Sequence, residues 1–417
     1  MSRARFAAAR AAGATAGRLS RLTGRGSGTT IGGRVTLLVD PGALQTAAAG
    51  REFALVSGTN GKTTTRTLLV AALQTLGPVL SNAGGANLPT GLTAALTADR
   101  TSSRGVLEVD EPFLPAVVAG VHPRVVVLLN LSRDQLDRYA EVKRLAGIWR
   151  DALAGPGSGE TRVVANADDP LVAWAASAAS TVTWVAAGQR WTMDSTACPV
   201  CGAVLERDDR SWACGSCGFS RPEPGWVVDG RRVLTPDGAA YDVDLALPGD
   251  VNVGNAALAA AAAGAWGVSP ADGFAAMAGI GSVEGRYAER DVDGMRVRLL
   301  LAKNPAGWAE ALAMVRPGSD VLVAVNARAA DGRDPSWLWD VAFEGLAGHP
   351  ATATAERSRD VAVRLRYAGV EHVRVDDPGT ALRAAITGAR TRGAGALEVL
   401  ANYTAFQDLQ REVGKRG

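Results

Sequence analysis

The chain has 417 residues, with 44 basic residues against 42 acidic ones and a formal net charge of +2. This length supports two or three domains with cores of their own, and the near-balance of charge argues against a broad nucleic-acid-binding surface. The sequence contains no run of eighteen apolar residues, so we expect no membrane-spanning helix.

The first 26 residues are rich in Arg, Ala and Ser and contain no acidic residue. This composition is typical of a surface helix, or of an amphipathic segment that contacts an anionic membrane face. No secretory signal accompanies it. We therefore expect a cytoplasmic protein, with peripheral contact to the inner face of the plasma membrane as the alternative for this segment.

Short apolar runs alternate with Ala- and Leu-rich helical stretches between residues 50 and 190. This alternation is typical of βαβ units around a parallel sheet. Hairpin-like pieces (WVVDGRRVL) and a helical alanine run at 255–265 follow later. The predicted strands are Phe53–Val56, Gly105–Val109, Val125–Leu129, Arg162–Ala165 and Val182–Val185.

The segment ALVSGTNGKTTTRTLL, residues 54–69, joins a predicted strand to a helix through a glycine-rich turn. Such a turn directs backbone N–H groups and the positive end of a helix at one spot, which suits a phosphate. Lys62, one of four lysines, would neutralise β- and γ-phosphate charge, and Thr63 or Thr64 would offer a hydroxyl to Mg²⁺. Because Val56 stands where the strict P-loop pattern has glycine, a plain turn is the alternative.

All four cysteines of the chain fall within an insert at 196–220, with the spacing C-x2-C-x12-C-x2-C. Two such pairs place four thiolates around one Zn²⁺, and because every ligand is a protein atom the site is structural. A zinc ribbon that binds nucleic acid is the weaker alternative. None of the cysteines remains for a glutaminase nucleophile. The expected ligands are Cys198, Cys201, Cys214 and Cys217.

The pattern starts afresh near residue 288, where we place a boundary between domains 1–287 and 288–417. Both halves are predicted to be doubly wound α/β sheets. Within the second half, DGRDPSWLWD (331–340) packs three aspartates and two tryptophans into ten residues after a strand end. The predicted strands of this half are Val297–Leu301, Val321–Val325, Val373–Val375 and Leu397–Leu400.

Several motifs together resemble the Mur ligase superfamily, whose members join amino acids to peptidoglycan precursors and folate with ATP. G-T-N-G-K-T-T (58–64) is similar to the short phosphate loop of that superfamily, and Glu108 matches its acidic Mg²⁺ ligand. The further similar segments, in the order of the family, are NLSRDQLDRY (130–139), NADDP (166–170), GDVNVGNAALAAAAA (249–263) and EGRYAER (284–290).

Within the superfamily, the four-cysteine insert and the segment 326–340 resemble a branch of synthetase subunits that work with a glutaminase. The resemblance implies ATP-dependent amidation of the D-glutamate α-carboxylate in the lipid II stem peptide, through an acyl phosphate, to D-isoglutamine. It also implies a GatD-like class I glutaminase subunit as partner, which supplies ammonia, and lipid II at the inner membrane face as substrate. The alternatives are a stand-alone amino-acid ligase of the Mur or folylpolyglutamate type, and a non-catalytic ATP-binding scaffold.

The resemblance also assigns residue roles. ATP would be held by Gly58, Thr59, Asn60, Gly61, Lys62, Thr63, Thr64, Asn87, Asn252, Asn255 and Arg286. Mg²⁺ would be held by Thr63 and Glu108, with Lys62 beside the transferred phosphoryl group. Gln135 stands where the family usually has histidine, and AGIWRDAL lacks the lysine that the family carries in the next helix. We therefore commit to one magnesium site and leave a second one open.

An aspartate of the segment 331–340 would, by the same resemblance, face the glutaminase and support its catalytic Cys–His pair. The sequence favours Asp334 or Asp331 for this role, and Asp340 stays open. The alternative is that Asp334 merely caps a turn before Pro335.

Overall fold

The computed structural model describes residues 3–23, 28–82, 86–134, 142–155, 159–283 and 285–414. Gln135 and Glu284, which belong to two of the motifs above, lie outside these ranges. None of the helices in the described ranges has the length and apolar character needed to cross a bilayer.

The chain divides into two units by the density of internal contacts. The first comprises the chain up to Leu131 with Val142–Ala246 and Asp250–Ile280. The second comprises the short segment that begins at Ser132, Leu247–Gly249 and the chain from Gly281 onward. The predicted domain limits, 1–287 and 288–417, stay a prediction.

Secondary structure in the first unit alternates between strands and helices. Its helices are α1 (Arg3–Leu22), α2 (Thr29–Val39), α3 (Ala43–Ala48), α4 (Lys62–Gln74), α5 (Pro89–Ala98), α6 (Leu114–Val121), α7 (Val142–Ala154), α8 (Pro170–Ala176), α9 (Asp250–Ala263) and α10 (Pro270–Ala278). Its strands are β1 (Glu52–Ser57), β2 (Val79–Ser81), β3 (Arg104–Glu108), β4 (Val125–Leu128), β5 (Arg162–Asn166), β6 (Val182–Ala186), β7 (Glu206–Arg207), β8 (Trp212–Ala213), β9 (Trp226–Asp229), β10 (Arg232–Leu234) and β11 (Ala240–Asp242).

Nine of these strands form one sheet in the order β11-β10-β9-β6-β5-β4-β1-β3-β2, while β7 and β8 form a separate hairpin. The sheet is parallel from β2 to β9, and β10 and β11 run antiparallel at one edge. Central strands β3 and β4 carry buried side chains on both faces, because helices cover the sheet from both sides. The segments that follow β1, β3 and β4 therefore all leave the sheet at the carboxyl ends of its parallel strands, which is where open α/β folds bind ligands.

The second unit repeats this architecture on a smaller scale. Its sheet has the order β12-β13-β17-β14-β15-β16, and only the β12 pairing is antiparallel. Its strands are β12 (Tyr287–Val292), β13 (Met295–Leu301), β14 (Asp320–Ala324), β15 (Ala351–Thr354), β16 (His372–Arg374) and β17 (Leu397–Ala401). Its helices are α11 (Pro305–Ala313), α12 (Ser358–Tyr367), α13 (Pro378–Arg392) and α14 (Tyr403–Gly414).

The predicted fold class, two doubly wound α/β units, is confirmed. All nine strands predicted from apolar runs are present, with ends that shift by one or two residues. The sequence analysis did not predict β2, β7, β8, β11, β12 or β15. Of these, β2 has only three residues, and the sequence ATAT of β15 lacks a long apolar run.

Candidate active site and metal centre

The turn between β1 and α4 has a backbone that only glycine can adopt at two positions. The φ angles are +146° at Gly58 and +87° at Gly61. A Cβ on Gly58 would lie 2.8 Å from the Cβ of Leu129, and one on Gly61 would lie 2.8 Å from Oδ1 of Asn255. Because neither position has room for a side chain, the backbone itself forms the wall of the turn.

Asn130, just after β4, holds the turn in place. The N–H of Asn60 donates to Oδ1 of Asn130 at 2.9 Å, and Nδ2 of Asn130 donates to the Asn60 carbonyl at 3.0 Å. The N–H of Thr59 also donates to the Asn130 carbonyl at 2.9 Å. The sequence analysis quoted Asn130 within a motif but gave it no role, and the three bonds show that it orders the turn.

Lys62 begins α4, and its buried ammonium folds back over the turn. Its Nζ donates to the Gly58 carbonyl at 2.5 Å and to Oε2 of Glu111 at 3.0 Å. Oδ1 of Asp110 lies 3.7 Å from the same atom. The predicted phosphate-binding lysine therefore lies against two acids that follow β3.

Glu111 is the residue of this site that sequence reasoning missed. It opens a short 3-10 turn, Glu111–Phe113, and its carbonyl accepts a bond from Nε1 of Trp149 at 2.9 Å. Burial raises the pKa of its carboxyl above the ordinary value, and the Lys62 ammonium opposes that shift. The signal available in the sequence was a second acid three residues after Glu108, in EVDE.

Glu108 ends β3 with its side chain buried in the first unit. Asn82 fixes its backbone through two bonds of 2.9 Å, one to the Glu108 N–H and one to its carbonyl. Within the described residues Oε1 of Glu108 has no hydrogen-bond donor, and Oε2 lies 3.9 Å from Nε of Arg66. A buried carboxylate oxygen without a donor suits a hard cation such as Mg²⁺. Thr63 and Thr64 lie in the first turn of α4, directly after Lys62, and their role as Mg²⁺ ligands stays a prediction.

Of the predicted nucleotide contacts outside the glycine turn, three asparagines lie in the first unit and Arg286 lies in the second. Asn255 is buried beside Gly61, and its Nδ2 donates to Oδ1 of Asn252 at 3.1 Å. The Asn87 carbonyl accepts from the N–H of Asp110 at 3.1 Å, so this residue also reaches the end of β3. Arg286 lies in the second unit, where its carbonyl accepts from the N–H of Leu301. Its contact with phosphate stays a prediction.

The four cysteines come together as a metal centre would require. Their Sγ atoms all lie within 4.8 Å of one another, and the pairs Cys198–Cys217 and Cys201–Cys214 are 3.6 and 3.5 Å apart. A tetrahedron with Zn–S bonds of about 2.3 Å has S–S edges of about 3.8 Å, whereas a disulfide needs about 2.05 Å. The residues fit one structural Zn²⁺.

The cysteine insert is bound to the loop that follows β5. Nε1 of Trp212 donates to the Ala167 carbonyl at 3.1 Å, and Nε of Arg221 donates to Oδ1 of Asp168 at 2.7 Å. The next residue, Asp169, is fully buried, caps α8 and accepts from the N–H of Leu131 at 2.8 Å. Burial raises the pKa of Asp169 to about 6, although three backbone N–H bonds oppose the shift.

Asp331 and Asp334, the two aspartates named for the glutaminase, differ in environment. Asp331 is buried and accepts from both the N–H and the hydroxyl of Thr404, which fixes it to the start of α14. Asp334 is exposed, and the N–H of Ser336 donates to it at 2.9 Å, which lowers the pKa of its carboxyl. Of these two residues, only Asp334 presents its carboxylate to solvent, and Asp340, the third aspartate of the segment, is exposed as well.

Comparison with known proteins agrees with this geometry. The profile of the Mur ligase middle domain matches residues 56–263, and that of the MurT ligase C-terminal domain matches residues 301–406. Two similar proteins are each named "Lipid II isoglutaminyl synthase (glutamine-hydrolyzing) subunit MurT". The one from Streptococcus pneumoniae R6 is 28% identical and covers 95% of this chain and 94% of its own length. The one from Staphylococcus aureus N315 is 30% identical, and the match covers 84% of this chain and 85% of its own length.

A solved structure shows the same fold at greater sequence distance. A pseudomurein peptide ligase type C from Methanothermus fervidus superposes with a TM-score of 0.68 at 20% identity, covering 88% of this chain and 78% of its own. Taken with the two matching profiles and the relatives in Streptococcus and Staphylococcus, this likeness leads to one assignment. The chain belongs to the MurT family of Mur-type ligases.

Proposed function

We propose that this chain is the synthetase subunit that amidates the D-glutamate α-carboxylate of the lipid II stem peptide. The reaction uses ATP and ammonia and gives D-isoglutamine. The observation that carries the proposal is the placement of the glycine turn, Lys62 and Glu108 at the carboxyl ends of the adjacent strands β1 and β3, in a member of the MurT family. Among the described residues, Oε1 of Glu108 has no hydrogen-bond donor. The names of the relatives support the substrate and the overall reaction.

The phosphates of ATP bind, in this proposal, along the turn 58–61 and the start of α4. The backbone of the turn is held by Asn130, so little ordering is left for the moment of binding. Lys62 moves its ammonium from Glu111 toward the β- and γ-phosphates, where its charge offsets the charge of the transferred group. Asn252 and Asn255 serve the base end of the nucleotide, and Asn87 the phosphate end.

Mg²⁺ fits beside this loop, since Glu108 offers a buried oxygen that lacks a donor in the described residues. Glu108 and the hydroxyl of Thr63 would hold the ion, with Thr64 as the alternative hydroxyl. When bound, it supplies charge neutralisation to the phosphate oxygens. The structural Zn²⁺ of the cysteine centre has no part in the chemistry, because its four ligands are all thiolates of the chain.

The chemical steps need no nucleophile from the protein. An oxygen of the substrate carboxylate attacks the γ-phosphorus, the bond to the β-phosphate oxygen breaks, and ADP leaves. Ammonia then attacks the carbonyl carbon of the acyl phosphate, inorganic phosphate leaves, and a proton is lost to give the amide. Lys62 offsets part of the negative charge that the carboxylate and the phosphates bring together.

The nitrogen comes from a partner, a class I glutaminase subunit. All four cysteines of the chain are grouped in the metal centre, so this chain has no thiol to form the glutamyl thioester. Asp334, which is exposed, would orient the catalytic histidine of the partner. The buried bonds of Asp331 to Thr404 favour a structural role for that residue.

The test compares product formation from ATP and lipid II with three nitrogen sources. The sources are ammonium salt, free amino acids, and glutamine with the glutaminase subunit. We expect amide product with ammonium alone and with glutamine plus partner. Amino-acid incorporation would instead establish a stand-alone ligase, and nucleotide binding without turnover under every condition would establish a scaffold.

The variant Lys62→Ala tests whether the phosphate site is needed for amidation. We expect amidation to fall by about 10²-fold or more with both nitrogen sources, because the loop loses the cation that faces the phosphates. The far-ultraviolet circular dichroism should stay that of the wild type. Lys143→Ala, an exposed lysine on α7, is the control and should keep full activity. Wild-type rates in Lys62→Ala would rule out the phosphate site.

A further inference from the structure

Helices α1 and α2 approach each other closely at glycine backbone, and Nε of Arg5 also donates to the Val39 carbonyl at 2.8 Å. A Cβ added at Gly28 would lie 2.2 Å from the Gly17 carbonyl oxygen, and one added at Gly32 would lie 2.9 Å from that of Gly13. A Cβ at Gly33 would overlap the Thr90 carbonyl at the start of α5, which ties the pair to the first unit. Several of the larger apolar side chains of the two helices lie outside this contact.

These apolar side chains point instead to solvent. Leu22 is 83% exposed, Leu38 is 73% exposed and Leu19 is 57% exposed. Arginines of the same two helices are exposed with them. We call this set the α1/α2 face, and it consists of Leu19, Leu22 and Leu38 with Arg3, Arg5, Arg18, Arg21 and Arg34.

Charge is distributed unevenly between this segment and the rest of the chain. Residues 1–39 hold seven of the 44 basic residues and none of the 42 acidic ones, so the remainder of the chain is net acidic. Exposed leucines occur singly on most proteins without a function. Here they share two helices with exposed arginines, and neither helix contains an acidic residue.

We propose that the α1/α2 face binds the surface of a bilayer that contains anionic phospholipid. The arginines match lipid phosphates, and the leucines gain a site in the acyl boundary, as in interfacial amphipathic helices. Nucleic acid would use the arginines but would leave the leucines in water. The proposal deepens the proposed function, since a lipid-linked substrate has to be met at the membrane, but binding to lipid requires neither ATP nor substrate.

The face connects to the candidate active site through α5. Helix α2 contacts α5 at Gly33 and Thr90, and α5 begins two residues after Asn87. The Asn87 carbonyl accepts a bond from Asp110, which lies near Lys62. One helix therefore separates the proposed lipid contact from the phosphate turn.

The experiment is cosedimentation of the full-length chain with sucrose-loaded vesicles that lack lipid II. Vesicles of phosphatidylglycerol and phosphatidylcholine are compared with phosphatidylcholine alone, at low and at raised salt. One variant combines Leu19→Asn, Leu22→Asn and Leu38→Asn, and a second combines Arg18→Gln, Arg21→Gln and Arg34→Gln. A control removes the same charge from exposed positions elsewhere in the first unit, with Arg144→Gln, Arg162→Gln and Arg210→Gln.

We expect binding to the anionic vesicles that weakens with salt, and partitioning that falls by about tenfold in each face variant but stays within about twofold in the control. Circular dichroism and amidation of a water-soluble stem-peptide acceptor, measured in each variant, identify any loss of folding. Three outcomes would overturn the proposal. They are no preference for anionic vesicles, equal losses in the control and the face variants, or binding to duplex DNA that depends on the arginines and not on the leucines.

Discussion

Nζ of Lys62 lies 3.0 Å from Oε2 of Glu111, so the lysine that opens α4 is paired with an acid just beyond β3. Both groups are buried in the first unit. Buried ion pairs contribute little net stability, but removal of one partner leaves an uncompensated charge. Under the proposed function, a nucleotide that recruits Lys62 would have to compete with Glu111 for its ammonium.

Glu111→Gln should lower the free energy of unfolding of the nucleotide-free protein and raise the affinity of the protein for nucleotide. Loss of the carboxylate leaves Lys62 with weaker partners, at a cost to the free energy of unfolding of about 1–3 kcal/mol. The phosphates then meet no competing carboxylate at position 111, and Asp110 is the acid that remains near the lysine. We expect the dissociation constant of Mg²⁺·ADP to fall by about tenfold, which equals ~1.4 kcal/mol. Calorimetry gives the affinity, and thermal unfolding with and without nucleotide gives the stability.

Asp110→Asn is the graded comparison for that measurement. Oδ1 of Asp110 lies 3.7 Å from Nζ of Lys62, so its change should act in the same direction with a smaller effect. Weaker nucleotide binding in Glu111→Gln would show that the carboxylate belongs to the bound state rather than competing with it.

The cysteine centre should carry one zinc ion per chain. In the purified protein we expect the four thiols to resist a thiol reagent until a chelator releases the metal, because the thiolates are its ligands. Cys201→Ser should lose zinc and lower the melting temperature, while Ser216→Ala, in the same turn region, should change neither. A metallochromic dye measures the release. Immediate reaction of all four thiols without zinc release would contradict a metal centre.

Asp334→Asn should separate the two nitrogen sources. Because this exposed carboxylate is assigned to the partner's histidine, turnover with glutamine should fall by about 10²-fold or more, while turnover with ammonium salt stays within about twofold. Asp331→Asn should instead lower the free energy of unfolding by about 1–3 kcal/mol through its lost bonds to Thr404. Equal losses with both nitrogen sources in Asp334→Asn would place that residue in the synthetase site.

Asp169 should impose a pH dependence on stability that an asparagine removes. Its pKa is raised from an ordinary value of 3.8 to about 6, so the folded protein holds the proton more tightly than the unfolded chain. The stabilisation is then present below about pH 4 and is lost as pH rises through about 6. We expect the stability of the wild type relative to Asp169→Asn to decline by up to about 3 kcal/mol across this window in urea titrations. A difference that grows with pH would mean that the carboxylate form is favoured.

Much of this arrangement was accessible from the sequence, because strong local patterns determine it. The apolar runs predicted β1, β3 and β4, and the glycine turn with Lys62 predicted a phosphate site at their common edge. The cysteine spacing predicted the cluster that the Sγ distances confirm. These features depend on neighbouring residues, which a sequence displays directly.

The features that were missed depend on contacts between distant segments. Asn130 holds Asn60 across 70 residues, and Glu111 reaches Lys62 across 49 residues. No local pattern indicates which acid of EVDE turns toward the lysine. Likewise, Asp331 and Asp334 look alike in sequence, and only the bond from Thr404 distinguishes the buried one from the exposed one.

A continuous series of hydrogen bonds and neighbouring residues connects the cysteine insert to the glycine turn. Nε1 of Trp212 donates to the Ala167 carbonyl, and Asp169, two residues later, accepts from the N–H of Leu131. The residue before Leu131 is Asn130, whose side chain accepts from the N–H of Asn60. If the path is stiff, zinc and nucleotide become thermodynamically reciprocal ligands, each raising the affinity of the other by one common factor. Zinc at a site without a catalytic role would in this way raise the affinity for nucleotide, so the rate of the ligase reaction would depend on the supply of zinc.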